Sequence, residues 1–209
     1  MLYKNNMTFN NIINNFLGDR INLLVLQVLY HQKNGVSGRM MSRLANASVF
    51  KVHHVLKFLV RQGVVKEEIF GKTHRYQVNR NHILVKELLN PIVHFEQNIF
   101  QDLGMKIAHA YDPHPLSVVL YGSVARGEEK PDSDIDIALI THTATTYVKK
   151  DGFIADLITL YGNTISIRVI PFDEFRKKRQ KKHDPLIRAI IKEGKSIYGK
   201  SFIELFGNL

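Results

Sequence analysis

The stretch VVLYGSVARGEEKPDSDIDIALI, from Val118 to Ile140, constrains the fold of this chain more than any other. It begins as a continuous apolar run rich in β-branched residues, which predicts a buried strand. The chain then turns at a Gly-Ser pair, crosses a polar loop and enters a second apolar run that carries Asp134 and Asp136. Carboxylates on a buried strand are costly without a partner, so the stretch predicts a binding site as well as two strands.

The spacing of the two aspartates predicts a metal site. Side chains alternate along a strand, so Asp134 and Asp136 share one face while Ile135 and Ile137 share the other. Two neighbouring carboxylates raise each other's proton affinity unless a cation neutralises them. Mg2+, with Mn2+ as the alternative, prefers such hard oxygen ligands and completes its shell with substrate phosphates. The pattern therefore predicts metal-assisted phosphoryl or nucleotidyl transfer.

The turn between the two strands predicts a phosphate site. Gly122 permits a tight turn and a close approach of the backbone to a ligand. The following SVARGEE can begin a helix, whose free N–H groups hold phosphate oxygens. Ser123 adds a hydroxyl donor and Arg126 adds a positive charge, so these three residues are the predicted nucleotide-binding set.

These motifs together carry a family resemblance. The segment GSVARGEEKPDSDIDIALI resembles the signature of the nucleotidyltransferase superfamily, which includes DNA polymerase beta and kanamycin nucleotidyltransferase, and most closely its minimal bacterial and archaeal members. The resemblance covers about residues 115–200, where DPLIRAIIKEGKSIYG resembles the closing helix and last strand. It implies a small mixed sheet flanked by helices, metal on Asp134 and Asp136, phosphates at Gly122 and Ser123, and transfer of a nucleoside monophosphate from an NTP to a hydroxyl.

One position departs from the family pattern. The resemblance implies a third carboxylate on the next core strand, TISIRVIPF, but its candidate positions are Ser166 and Arg168. Asp156 or Asp173 would substitute only if the geometry allowed it, and Arg168 could instead pair with the two aspartates. A missing general base costs about 10²- to 10⁴-fold in rate. Two interpretations stay open: an active transferase, and a catalytically weak domain that binds nucleotide.

The first third of the chain is a basic module. The net charge is +10, to which residues 1–80 contribute 12 − 3 = +9, residues 81–110 contribute 2 − 3 = −1 and residues 111–209 contribute 15 − 13 = +2. A basic module predicts a polyanionic partner such as nucleic acid. A basic surface that serves only solubility is the alternative, and charge alone does not separate the two.

Three helix patterns and a hairpin occupy residues 1–80. DRINLLVLQVLYHQ, SGRMMSRLAN and SVFKVHHVLKFLVRQG have helical apolar spacing and begin at the capping residues Asp19, Ser37 and Ser48. VVKEEIFGKTHRYQV then predicts a hairpin that turns at Gly71-Lys72. This order resembles the winged helix-turn-helix family, which implies that the third helix enters the major groove of DNA.

The predicted DNA contacts lie on the third helix and the hairpin. The helix face opposite the apolar stripe carries Phe50, Lys51, His53, His54 and Lys57, and the wing carries Lys72, Thr73, His74 and Arg75. The alternative is a winged helix used for protein contacts or dimerisation. Adjacent histidines diverge by about 100° on a helix, so the histidine pair is interpreted as a surface feature and not a metal site.

A helical connector is predicted between the two modules, at residues 81–110. Pro91 divides it into one helix ending near Leu89 and another beginning at the proline. The second helix is too apolar to be an exposed linker, so we expect it to pack on a domain or on a second copy of the chain. DPHP at residues 112–115 marks the next boundary. The predicted architecture is α+β, with a winged helix-turn-helix domain at 1–80 and a nucleotidyltransferase domain at 111–209.

Other features bear on partners and location. The basic run RKKRQKK at 176–182 is interpreted as a solvated helix face, slightly ahead of an acceptor or triphosphate site, because Asp173, Glu174 and Asp184 lie beside it. The chain has no cysteine, and no apolar run long enough to span a bilayer. The opening MLYKNNMTFNNIINNF lacks the layout of a signal peptide, so a cytoplasmic protein is expected.

Three functional hypotheses follow. The first is a magnesium-dependent nucleotidyltransferase positioned by a DNA-binding domain. The second is a DNA-binding transcriptional regulator whose degenerate transferase domain senses nucleotide or mediates contacts. The third, by analogy alone, is an antitoxin-like component of a two-gene system.

Overall fold

The chain folds into two units. In this computed structural model, residues 10–142, 148–181 and 184–207 are described. Residues 1–97 form one unit and residues 98–209 the other. Both contain helices and strands, so the predicted mixture of helix and sheet is confirmed.

The first unit places helices before a small antiparallel sheet. Its elements are α1 (Ile12–Leu17), α2 (Arg20–His31), β1 (Val36–Ser37), α3 (Gly38–Leu44), α4 (Val49–Arg61), β2 (Val65–Phe70) and β3 (Thr73–Val78). The strand order is β1-β3-β2. The three predicted helix caps are confirmed: the side chain of Asp19 accepts a hydrogen bond from Ile21 N, Ser37 from Met40 N and Ser48 from Lys51 N.

The predicted hairpin is confirmed as well. Phe70 pairs with Thr73 across a two-residue turn, and Gly71 has a positive φ of 59°. The sequence patterns did not predict α1 or β1. The apolar stripe of α4 is buried as predicted, with Val52, Leu56 and Leu59 fully inaccessible. The element order is the one a winged helix-turn-helix requires, and that assignment stays a prediction.

Residues 81–110 contribute to both units. They form a π-helical segment (Val85–Leu89) followed by α5 (Asn90–His109), as the position of Pro91 predicts. Val85 and Leu89 pack into the core of the first unit, whereas Leu103 and Ile107 pack into that of the second. Within the described residues, no helix combines the length and the apolar character needed to cross a membrane.

The second unit is built on a mixed sheet. Its elements are β4 (Tyr111–Asp112), β5 (Ser117–Tyr121), α6 (Gly122–Arg126), β6 (Ile135–Thr141), β7 (Val148–Lys149), α7 (Phe153–Tyr161), β8 (Ile165–Pro171), α8 (Phe172–Lys181), α9 (Pro185–Glu193), β9 (Lys195–Gly199) and α10 (Phe202–Phe206). The sheet order is β8-β6-β5-β9, with β6 and β8 parallel and the other neighbours antiparallel. β4 and β7 form a separate two-stranded pair.

Helices cover both faces of this sheet. Leu103 and Ile107 of α5 and Leu157 of α7 pack with the face that carries Ile137. The opposite face carries Ala138 and Ile140 and packs with three buried residues of α8 and α9, namely Phe175, Ile187 and Ile190. Asp136 belongs to this second face, because side chains two residues apart point the same way.

Candidate active site and candidate nucleic-acid interface

The candidate active site lies where β5 ends and β6 begins. Tyr121, the last residue of β5, pairs with Asp136, the second residue of β6. The chain turns at Gly122, with a positive φ of 77°, and enters α6. A Cβ added at Gly122 would lie 2.5 Å from Asp136 Oδ2. The structure therefore brings the predicted phosphate turn and a predicted metal ligand together.

The two aspartates occupy different environments. Asp134 is exposed and directly precedes β6, whereas Asp136 is half-buried within it. Burial raises the pKa of Asp136, the charge of Asp134 raises it further, and the nearby Arg168 guanidinium lowers it. The ionised form of Asp136 is thus disfavoured on balance, and a bound cation would relieve that cost.

The donor set fits Mg2+ with substrate phosphates. In proteins this ion is bound through one or two carboxylates, with waters and phosphate oxygens completing the shell. Asp134 and Asp136 are the two carboxylates here that could fill this role. Within the described ranges, no group of three or more histidine and acidic side chains is arranged to hold a metal without substrate.

The place of the implied third carboxylate is occupied by other residues. β8 runs parallel beside β6, with Ser166 in register with Asp136 and Arg168 in register with Ala138. Asp173 lies past the far end of β8, beyond Pro171, which is about 16 Å along the strand from Ser166. Asp156 is on α7, which packs on the opposite face of the sheet. Neither acid replaces the missing one.

Arg168 is an exposed cation on the edge strand. Among the ion pairs of the described residues, none joins Arg168 to Asp134 or Asp136. Its charge acts on Asp136 without direct pairing. Arg168 therefore does not bridge the two aspartates, so it does not occupy the position between them that a metal ion would take.

Tyr121 is a residue of this site that the sequence reasoning missed. It is buried, and burial and the charge of Asp136 raise the pKa of its hydroxyl, which Arg168 partly offsets. Its position in the sequence could have identified it, because the residue before the Gly122 turn lies opposite Asp136 when the two strands pair.

The other predicted nucleotide contacts differ in their surroundings. Ser123 is half-exposed, and its hydroxyl has no hydrogen-bond partner in the part of the chain that the structure describes. Arg126 is engaged: Nε donates to Glu128 Oε2 and Nη1 to Glu193 Oε2, both at 2.7 Å, and the two pairs raise the pKa of Arg126. Arg126 thereby ties α6 to α9, and its contact with nucleotide stays a prediction.

Two cations of the basic run at 176–182, Arg176 and Lys178, pair with acids. Arg176 Nη2 lies 3.5 Å from Asp173 Oδ1, and Lys178 Nζ lies 2.9 Å from Glu174 Oε1 and 3.2 Å from Asp184 Oδ2. These are the acids expected to moderate the run. Lys182 lies outside the described residues, as do residues 1–9 of the N-terminal segment.

The candidate nucleic-acid interface is the exposed face of α4. The structure places all five predicted helix residues there: Phe50, Lys51, His53, His54 and Lys57. Phe50 is 82% exposed at the start of the helix, which is unusual for a large apolar side chain. A face of this kind, apolar at one end and basic along its length, can contact base edges and phosphates.

The hairpin presents its basic residues at the tip. Lys72 and Arg75 are exposed, and the Arg75 guanidinium lies 5.4 Å from the centre of the Phe70 ring. His74 Nδ1 lies 2.7 Å from Glu67 Oε1. Burial opposes ionisation of Glu67, but hydrogen bonds from His74 and Tyr76 outweigh it and hold the pKa of Glu67 below its ordinary value.

Comparison with known proteins shows that the second unit is similar to one family. Residues 105–203 match the family model described as polymerase beta, nucleotidyltransferase. A comparison with curated proteins finds no match. One solved structure with a similar chain is described as the crystal structure of the toxin-antitoxin with AMP-PNP; it is 17% identical, with a TM-score of 0.32, and the match covers 56% of this chain and 79% of that chain.

Proposed function

We propose that residues 105–203, which match the polymerase beta, nucleotidyltransferase family model, form a domain that transfers a nucleoside monophosphate from an NTP to an acceptor oxygen and releases pyrophosphate. The contact between the Gly122 turn and Asp136 carries the proposal. It supports a single site in which phosphate and metal are bound side by side. The N-terminal unit would bring this site to DNA.

Each residue of the site has a role in the proposed reaction. Asp134 and Asp136 would hold Mg2+ or Mn2+, which when bound neutralises charge on the triphosphate. The backbone at Gly122 and the Ser123 hydroxyl donate hydrogen bonds to phosphate oxygens. Arg126 would reach the nucleotide by exchanging one of its two carboxylate partners for phosphate. Donors held in place before the reaction stabilise developing charge without reorganisation.

Transfer is tested by following the α-phosphate of the donor. The purified full-length protein, Mg2+ and ATP radiolabelled at the α-phosphate are incubated with extract of the source cells, and macromolecules and small products are separated. We expect labelled product together with pyrophosphate. The Asp134→Asn/Asp136→Asn variant is the control, and equal labelling by this variant would contradict the proposal.

DNA binding by the first unit makes a separate prediction. Replacing Lys57 by Ala on the exposed face of α4 is expected to weaken binding at all sequences and to reduce the slope of log K against log salt by about 1, because one phosphate contact is lost. Lys86→Ala, an exposed lysine outside the predicted interface, is the matched control. Titration of a labelled DNA pool at several salt concentrations measures the affinity and the salt slope of each variant. Identical slopes for the two variants would argue against the interface.

A DNA-binding regulator with a degenerate transferase domain is the second candidate. The observation in its favour is that Ser166 and Arg168 occupy the strand where a third carboxylate would lie. It requires NTP binding without pyrophosphate release, which calorimetry and a pyrophosphate assay on the same sample distinguish from transfer. Pairing of two chains through 91–110 or the winged helix, an antitoxin-like role and a cytoplasmic location stay predictions.

A further inference from the structure

The edge of the active site carries a cation where a base would be useful. Ser166 and Arg168 lie on β8 next to Asp136 and Ala138 of β6, and partners in parallel register share one face of the sheet. Further along this face Ile170 is buried, whereas Arg168 is exposed. Arg168 therefore lies on this face between the buried Ile170 and the solvent-accessible end of the sheet, where Asp136 lies.

The same geometry leaves a hydroxyl acceptor without a base. Both carboxylates of the site are needed by the cation that the triphosphate brings, and among the described residues no third acidic or histidine side chain forms a metal-holding group with them. An alcohol holds its proton tightly, and its attack on phosphorus is accelerated when a positioned side chain removes that proton. Ser166 and Arg168 cannot do so, because a hydroxyl is a poor base and an arginine stays protonated.

We infer that the acceptor is a phosphate monoester whose oxygen attacks the NTP while Arg168 holds its other oxygens, an inference that rests on the proposed transferase function. A phosphate monoester loses its last proton with a pKa of about 6, so its oxygen is already ionised at neutral pH and needs no base. Its charge would be repelled by the two aspartates, and the Arg168 guanidinium offsets this repulsion and offers a bidentate fork.

The bonds of this reaction balance without a proton transfer to the protein. An oxygen of the acceptor phosphate forms a bond to the α-phosphorus of the NTP. The bond between that phosphorus and the oxygen bridging to the β-phosphate breaks, and pyrophosphate leaves with the electron pair. The product is a phosphoanhydride that joins the acceptor phosphate to the nucleoside monophosphate.

Removing phosphate monoesters from the extract tests the inference. The labelling assay is repeated with extract that was treated with alkaline phosphatase, which is then removed before protein and donor are added. We expect labelling to fall at least tenfold, and the product from untreated extract to release labelled nucleoside monophosphate on treatment with nucleotide pyrophosphatase. Labelling that survives phosphatase treatment overturns the inference and leaves the transferase standing. Labelling absent from both extracts contradicts the transferase itself.

Binding without metal gives a readout independent of turnover. In EDTA, a 2′,3′-dideoxynucleoside 5′-monophosphate is expected to bind the full-length protein more tightly than the matching dideoxynucleoside. Arg168→Gln should weaken binding of the monophosphate by roughly tenfold to a hundredfold, since a charge-assisted pair is lost. It should leave binding of the nucleoside unchanged. Arg168→Lys should recover part of the affinity. Arg176→Gln, which alters an exposed arginine of α8 paired with Asp173, should change neither.

The binding experiment has a clear contrary outcome. Equal affinity for the monophosphate and the nucleoside, or an equal effect of Arg168→Gln and Arg176→Gln, would overturn the role of Arg168. Both variants replace exposed side chains, so melting temperatures close to that of the wild type are expected and separate a binding effect from misfolding.

Discussion

Replacing Asp136 by Asn is expected to reduce nucleotidyl transfer by at least about 10³-fold, because a proposed ligand of the metal that neutralises the triphosphate is lost. The substitution should not reduce the stability of the folded protein. Asn has nearly the same shape, and it removes a charge that the structure disfavours through burial and through Asp134. The melting temperature in EDTA is expected to equal or exceed that of the wild type. A rate measurement and a thermal melt on the same preparation check both statements.

The difference in stability between the wild type and the Asp136→Asn variant should depend on pH with a definite sign. The pKa of Asp136 is raised in the folded state above its ordinary value of 3.8, so the folded protein binds more protons than the unfolded chain between those two pKa values. Stability from this group is therefore lost as pH rises through that window. The Asp136→Asn variant does not lose stability in this way. In EDTA it should therefore be as stable as the wild type below pH 3.8 and more stable than the wild type above it.

Ligand and control measurements complete the Asp136 experiment. Mg2+ with a non-hydrolysable NTP analogue should raise the melting temperature of the wild type but not of the variant, because only binding to the folded state stabilises it. Asp173→Asn changes an exposed acid beyond the far end of β8 and should leave transfer unchanged. A variant Asp136→Asn that transfers within threefold of the wild-type rate would remove Asp136 from the site.

The parts of the site that follow from local sequence were predictable. Two apolar runs, the first of them continuous and rich in β-branched residues, predict both strands, and Gly122 between them indicates the turn that lets Asp136 approach the backbone. Helix caps such as Ser48 and the hairpin turn at Gly71 followed for the same reason: each depends on the conformational preferences of a few consecutive residues.

The parts that depend on distant segments were not predictable. The parallel register that sets Ser166 beside Asp136 joins two strands that are separated in the sequence by residues 142–164, and no local pattern determines it. The position of Arg126 one turn after Gly122 predicts a contact with nucleotide, but its partner Glu193 lies 67 residues away. Sequence spacing indicates which charges are near a turn, whereas the tertiary structure decides which of them are already paired.

Gly122→Ala is expected to lower both stability and activity, and Gly127→Ala is its matched control. Both glycines have positive φ, 77° and 71°, a conformation that costs a residue with a side chain about 1–2 kcal/mol. The two differ in what the new methyl group meets. At Gly127 nothing lies within 4 Å, whereas at Gly122 the methyl group would meet the Asp136 carboxylate.

The difference between these two variants isolates the contact that carries the proposed function. Crowding at Gly122 should lower the free energy of unfolding by about 1–3 kcal/mol beyond the loss at Gly127, as overpacking does. It should also reduce transfer by roughly 10²-fold, because a displacement of the reacting groups by about 1 Å has that effect. Gly127→Ala should keep transfer within a few-fold of wild type. Chemical denaturation and the transfer assay measure the two quantities, and equal activities would mean that Asp136 moves without consequence, so the contact at Gly122 could not define the active site.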